Sequence, residues 1–347
     1  MADKKKQNRT DNLLTELSEH PDPTANSAAD LVVEPESDAL KDDFARELER
    51  TLKETEQEVL GIVAIDEGPD AVATWQSARL VIEKFQPIPW FIWRLSNFVL
   101  GKPGKIAPVT EGLVFGLRRL LFATASDKTL GSGEKITSVR KALNTVEPDV
   151  IAAVSVVYAV CKKMLRSPFE RIWRPILDDA LLRTQIGYYV GRKDPSFGAG
   201  RGMLAGFANR IGLAVLIATG DLTRAQKALE QLATGAPIKD IGLLLYQCEP
   251  LQVSAMLLSA AGCGRDAAFG IVRYASGQAP NTIENEEQYQ WLAAFTLIEK
   301  LRTNQIDDSD QQFWSSLSLD SQEDKTKLLE HAKLIVRRGH GWSWLTS

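Results

Sequence analysis

The chain has 347 residues, 44% of them hydrophobic and 25% charged, with a formal net charge of −4. That length and apolar content supply a sizeable core for one large domain or two smaller ones, and they exclude a low-complexity or collagen-like chain. The slightly acidic balance alone predicts no nucleic-acid partner.

The charge is unevenly spread. Residues 1–70 hold 8 Lys/Arg against 19 Asp/Glu, a net of −11, so the rest of the chain carries +7. Such a segment is either a solvated acidic tail, or one that folds back on the basic remainder or occupies a partner's site. Cys161, Cys248 and Cys263 lie in apolar runs without CxxC spacing. Buried thiols in a reducing compartment are therefore expected, with no disulfide framework and no zinc site. The basic start "MADKKKQNRTDN" is followed by no apolar run, so no secretory signal is expected. A membrane span needs about 18 consecutive apolar residues, and none is expected here. These features together predict a cytoplasmic protein.

Residues 1–37 are polar and contain "HPDPTANSAAD", a composition that cannot offset its ordering entropy, and are read as a disordered leader. A helical pattern begins at Asp38, with Leu40, Phe44, Leu48 and Leu52 every four residues among glutamates. This stripe either packs on its own domain or binds a partner helix, and its four apolar residues are candidates for partner contact. Residues 69–85 form a second helix, with Val72, Trp75, Ile82 and Phe85 on one side. Helices are then expected at 89–100, at 109–126 with Thr110 as N-cap, and at 136–146 after the loop "GSGEK". Residues 148–165 are apolar nearly all round and are expected to be the central buried helix. The pattern at 167–191 contains Pro175, which should kink it or begin a new helix. Further helices are expected at 196–220, at 221–235 behind an Asp221 cap, at 249–262, 264–277, 285–304 and 320–339. No stretch alternates with period two, so the fold is expected to be an all-α multi-helix bundle without internal repeats.

Few residues carry recognisable chemistry. The cluster "GAGRGMLAG" lacks the preceding strand and terminal Gly-Lys-Ser/Thr of a phosphate loop, and reads as a loop and helix packed closely through small residues. Only His20, His331 and His340 are present, so no histidine is available mid-chain for nucleophilic catalysis or a metal. Asp178 and Asp179 project about 100° apart on a helix, which makes them poor joint ligands, and are either solvated or paired with Arg174 or Arg183, one turn away. The many arginines, Arg201 and Arg210 among them, form either ordinary surface ion pairs or a basic surface for an acidic protein or a nucleotide phosphate. Trp342 and Trp344 follow the last helix and either latch onto the domain or anchor a partner.

Five segments in order resemble the HDOD family, signalling relatives of the HD phosphohydrolases. "QPIPWFIWRLSNFV" is similar to the family's leading Leu-Pro-x-Leu-Pro helix. Ala125, Ser126 and "ITS" at 136–138 stand where its Ala-Asn-Ser and Ile-Ser/Thr-Ser fall. Phe169 and Trp173 match its Phe-x-x-Leu-Trp-x-His segment. "LAGFANRIGLAVL" resembles its Leu-Ala-Gly-Leu-Leu-His-Asp-Ile-Gly helix, and "LQVSAMLLSAAGCGRDAAFGIVRYA" its Glu-Val-Gly segment. The resemblance covers about Phe85 to Asn304. It implies an HDOD-like domain at 85–304, preceded by the leader (1–37) and amphipathic helices (38–84), and followed by a helical, Trp-containing extension (305–347).

The positions that carry metal ligands in active HD enzymes correspond here to Pro175, Asn209, Arg210, Pro250 and Tyr274-Ala275. The resemblance therefore implies a non-catalytic bacterial signal-transduction protein without cofactor or metal, acting through protein–protein contacts. Expected partners are a signalling kinase, a cyclic-nucleotide enzyme or a motility component. Pro175, Asp178, Asn209, Arg210 and Arg201 are the candidate residues of a vestigial pocket. The alternatives are a nucleotide-binding sensor that uses this pocket, or a divergent metal-dependent phosphohydrolase.

Overall fold

Fifteen α-helices and one 3-10 turn, with no strand, are found among the described residues of the computed structural model, which are 38–346 apart from 68, 101–116, 277–284 and 307–309. The all-α expectation holds. The acidic leader, His20, the Thr110 cap and the side chain of Leu40 lie outside the described residues.

Helix α1 (Asp38–Glu67) and α2 (Pro69–Phe85) pair along their apolar stripes. Leu48, Leu52 and Val59 of α1 are buried, and Phe44 packs half-buried against Trp93, ring centroids 5.6 Å apart. Of the two readings of the Phe44–Leu52 stripe, packing on its own domain and binding a partner helix, the first is the one seen: it faces this chain's own core. Period-four leucines favour that outcome, because burying them within the chain costs no translational freedom.

Helix α3 (Trp90–Leu100) leads to α4 (Arg118–Ser126), the short α5 (Val139–Leu143) and α6 (Pro148–Met164). Helix α7 (Glu170–Gly191) starts from Phe169, whose φ of 65° is left-handed, and runs through Pro175. Pro175 neither begins nor ends a helix. It is exposed in the second turn, where the missing N–H costs one solvent-facing hydrogen bond.

The central helix is α8 (Ala199–Thr219), not α6 as the apolar pattern suggested. Every residue of α8 is buried except Arg210 and Thr219, whereas α6 leaves Tyr158 half-buried and Lys163 exposed. By length and composition α8 would also suffice to cross a membrane, contrary to expectation, but 89% of its apolar window is buried inside the protein. Helices α6, α7, α11 (Pro250–Ala260) and α13 (Glu286–Thr303) cover it.

Glycines explain how α8 comes to lie so close to α7. A Cβ at Gly202 would stand 2.2 Å from the Gly187 carbonyl oxygen, and one at Gly206 2.1 Å from that of Arg183. The two backbones touch, so no larger residue fits at the crossing. This contact draws Arg183 against α8.

The remaining helices are α9 (Leu222–Ala233), α10 (Ile238–Tyr246), α12 (Arg265–Ser276), α14 (Gln311–Ser316) and α15 (Gln322–Arg338). Asp221 caps α9, its Oδ1 accepting from the Arg224 N–H at 2.9 Å. Pro250 takes the first position of α11, where the Glu249 N–H donates to Gln252 Oε1 at 2.9 Å. Helices α10 and α14 occupy segments that read as connections.

Candidate functional site

The site is assembled at the α7–α8 crossing, with α13 packed alongside both. Helix α7 supplies Asp179 and Arg183, α8 supplies Asn209 and Arg210, and α13 supplies Glu299 and Arg302.

Arg183 is the hub, with 2% of its surface exposed. Its Nε donates to Asp179 Oδ2 at 2.9 Å, and its Nη1 donates to Glu299 Oε2 and, at 3.4 Å, to Asn209 Oδ1. Arg210 Nε donates to Asp179 Oδ2 at 3.3 Å, and its Nη2 lies 3.7 Å from Glu299 Oε1. Arg302 Nε donates to Asp179 Oδ1 at 2.8 Å. Both oxygens of Asp179 are thus held by guanidinium groups. Burial pushes the Asp179 carboxyl up, but Arg183 and Arg302 outweigh it and hold the group below its ordinary range. Tyr274 closes the cluster beside Asn209, stacked on Phe295 at 6.0 Å. Burial pushes its hydroxyl pKa up, and Glu299 adds to the rise.

This arrangement does not suit a divalent ion. Three guanidinium groups face two carboxylates, and among the described residues no three His, Cys, Asp or Glu side chains converge. A metal about 4 Å from a guanidinium would meet a repulsion of several kcal/mol even with strong screening. Arg210 cannot shed its charge to relieve it. What the cluster does is hold α7, α8 and α13 in register through charge-assisted hydrogen bonds.

Of the five pocket residues expected, Asn209 and Arg210 lie in this cluster. The other three do not. Asp178 faces away from its neighbour Asp179, toward Arg174 at 3.4 Å and His340 Nε2 at 3.7 Å. The carboxylate at the crossing is Asp179, as the 100° offset between adjacent helical residues requires. Pro175 is exposed near the start of α7. Arg201 is buried in the first turn of α8, where its guanidinium donates twice to the Leu100 carbonyl, at 3.0 and 2.8 Å, and pairs with Glu287 at 2.9 Å. Arg201 ties down the end of α3 and has no part in the cluster.

Trp342 is fully buried, and Leu345 with it, in a tail whose 3-10 turn (Ser343–Leu345) packs on α6. The Gly341 N–H donates to Gln185 Oε1 at 3.1 Å, and Arg174 Nη2 donates to Thr346 Oγ1 at 3.0 Å. Trp342 therefore belongs to the core and is withdrawn from partner contact, while Trp344 packs half-buried on the same core. Glu299 and Arg302 were not expected. The signal for them is faint: two charges, one directly after the run "WLAAFTLI" and one directly after Leu301, in a helix otherwise buried on every turn.

No family model matches the chain, and no curated protein matches it. Two solved structures do. One is a provisionally assigned signal transduction protein from Marinobacter aquaeolei VT8, 17% identical over 74% of this chain and 58% of that one, with a TM-score of 0.54. The other is a provisionally assigned phosphohydrolase from Shewanella amazonensis SB2B, 14% identical over 77% of this chain and 98% of that one, with a TM-score of 0.52. The chain thus spans little more than half of the first and nearly all of the second. At these identities the likeness is one of fold.

Proposed function

We propose that the chain is a non-catalytic regulatory protein of bacterial signalling, built on a degenerate HDOD-like domain, and that it works by contact with other proteins. One observation carries the reading: beside Asn209 and Arg210, which the family resemblance matches to HD metal-ligand positions, Arg183, Arg210 and Arg302 hold Asp179 and Glu299. A two-metal hydrolase requires donors that grip its ions and activate water. Here the donors are already spent on arginines. The fold is shared with a protein provisionally assigned to signal transduction and with one provisionally assigned as a phosphohydrolase, which is consistent with an HD-like fold. Kinases, cyclic-nucleotide enzymes and motility components are the partner classes that the family resemblance suggests.

The test is turnover. Purified chain with manganese is assayed against nucleoside mono- and triphosphates and cyclic dinucleotides, beside the Arg210→Ala variant. No turnover by either protein is expected. Activity in the unmodified chain that Arg210→Ala abolishes overturns the reading. A second reading, nucleotide sensing, draws on the partial exposure of Arg210 and Arg302 at the rim of the cluster, with side chains 26% and 32% accessible. A ligand at 100 times its dissociation constant adds about 2.7 kcal/mol of stability, so a thermal-shift panel of nucleotides decides it. An unmoved melting temperature across the panel sinks it.

A further inference from the structure

Helices α4 and α6 pack together and build a surface from two stretches that contain no acidic residue, 117–126 and 150–169. Arg118, Arg119, Lys163 and Arg166 are exposed there, and none of them forms an ion pair with a described residue. Lys162 sits over the ring of half-buried Tyr158, its Nζ 5.3 Å from the centroid. Burial raises the Tyr158 hydroxyl pKa, and the charges of Arg119, on α4, and Arg166, just past the end of α6, oppose that rise. Helix stability does not account for all of these cations. Lys162 and Lys163 lie at the C-terminal turn of α6, where they suit the helix dipole. Arg118 and Arg119, however, occupy the N-terminal turn of α4, where positive charge opposes it.

We propose that this α4–α6 surface is a docking site for an acidic segment of a partner protein. It rests on the reading above that the chain acts by protein contact, and it names the chemistry of that contact. A cluster in which Arg118, Arg119, Lys163 and Arg166 pair with no described residue steers an anionic partner and rejects cationic ones. Two other polyanions fit less well. A nucleic acid needs open aromatic faces or a groove, but the Tyr158 ring is covered by Lys162. An anionic membrane needs large apolar side chains beside the cations. Among the described residues, none of the exposed large hydrophobics (Leu80, Phe98, Leu222, Leu229, Leu244, Val336) lies on α4 or α6.

The test is fluorescence anisotropy of labelled octaglutamate, with an octathymidylate and phosphatidylserine vesicles as parallel probes, against the full chain at low and physiological ionic strength. Octaglutamate is expected to bind in a salt-sensitive manner. Arg119→Glu/Arg166→Glu should weaken it about tenfold, whereas Arg119→Lys/Arg166→Lys and the distant Lys227→Glu should leave it within about twofold. Circular dichroism melts confirm that each variant is folded. The proposal is overturned if octaglutamate does not bind, if the double reversal binds as well as the unmodified chain, or if the oligonucleotide or the vesicles bind more tightly and lose binding with the same variant. Hydrolase turnover by the chain would remove the contact reading without touching peptide binding. Absent peptide binding with no turnover would remove the patch and leave that reading in place.

Discussion

Arg210 Nε lies 3.3 Å from Asp179 Oδ2, so the residue that departs furthest from a metal-binding pattern is tied to a carboxylate of the adjacent helix. Arg183 holds the same oxygen from within the core at 2.9 Å. The two arginines differ in burial, and their replacement should differ in cost. Arg183→Met leaves Asp179 and Glu299 with only rim partners, and a destabilisation of about 2–3 kcal/mol is expected, below the usual cost of breaking a fully buried pair because both carboxylates keep some solvent. Arg210→Ala should cost about 1 kcal/mol or less. Urea unfolding of the two variants measures this. Equal losses would show that Arg183 is not the hub.

Asp179 should add acid sensitivity of its own. Its carboxyl is held below the ordinary 3.8 when folded, so the folded state binds its proton less readily than the unfolded chain does. The stabilisation is fully present above the unfolded value and is lost as pH falls through the folded one. Asp179→Asn should therefore flatten the stability curve below about pH 4 while lowering stability at neutral pH. Urea midpoints between pH 3 and 7 report the slope, and an unchanged slope counts against the assignment.

Helix α8 offers a test in which the same substitution changes sign with position. A Cβ at Gly202 meets the Gly187 carbonyl oxygen at 2.2 Å and the Gly191 Cα at 2.9 Å. Backbone is what stands in the way, so the two helices must separate. Gly202→Ala should cost about 1–3 kcal/mol despite the better helix propensity of alanine. At Gly61 on α1 an added Cβ meets nothing within 4 Å. Gly61→Ala should there stabilise by about 0.5–1 kcal/mol. Thermal melts of both variants decide it, and matching shifts would contradict the close crossing.

The helical architecture was legible because apolar periodicity survives any tertiary arrangement. Asp221, Pro250 and the α7 and α8 patterns appear in the structure much as their residue chemistry requires. The rank of the helices was not legible. Both α6 and α8 read as apolar, and the close crossing, Gly187 against Gly202 and Gly206 against the Arg183 backbone, places α8 at the centre. The site was half legible. Asn209 and Arg210 could be picked out against a family pattern, and Asp179–Arg183 follows from helical spacing. Glu299 and Arg302 could not be, because their role depends on how α13 crosses two distant segments. Arg201 misled for a related reason. It sits within the glycine cluster in the first turn of α8, about two and a half turns before Arg210 at the middle of the helix, and so lies away from the charged cluster.

The thiols should be silent in the native protein. Cys161, Cys248 and Cys263 are buried and unpaired, and burial pushes each up to about 12. The nucleophile is the thiolate, so both access and ionisation are lacking at neutral pH. Ellman's reagent should label none of the three in folded protein and all three in denaturant. Rapid labelling of the native chain would place at least one of them at the surface.

The C-terminal tail should loosen on mild acidification. His340 sits between the domain and Asp178, its Nε2 3.7 Å from the carboxylate, while Arg174 lies on the same side of α7. Burial pushes the imidazole pKa below its ordinary 6.5, and the attraction of Asp178 does not restore it. The docked tail thus favours neutral histidine, and the freed tail binds a proton more readily. Docking is at full strength above the ordinary value and weakens as pH falls below it. Trp342, fully buried when the tail is docked, reports the change. Its fluorescence should shift to the red between about pH 6.5 and 5 in the full chain. In His340→Gln, which cannot take up the proton, the shift should be absent over that interval. A shift of equal size in both proteins would assign the acid response to groups other than His340.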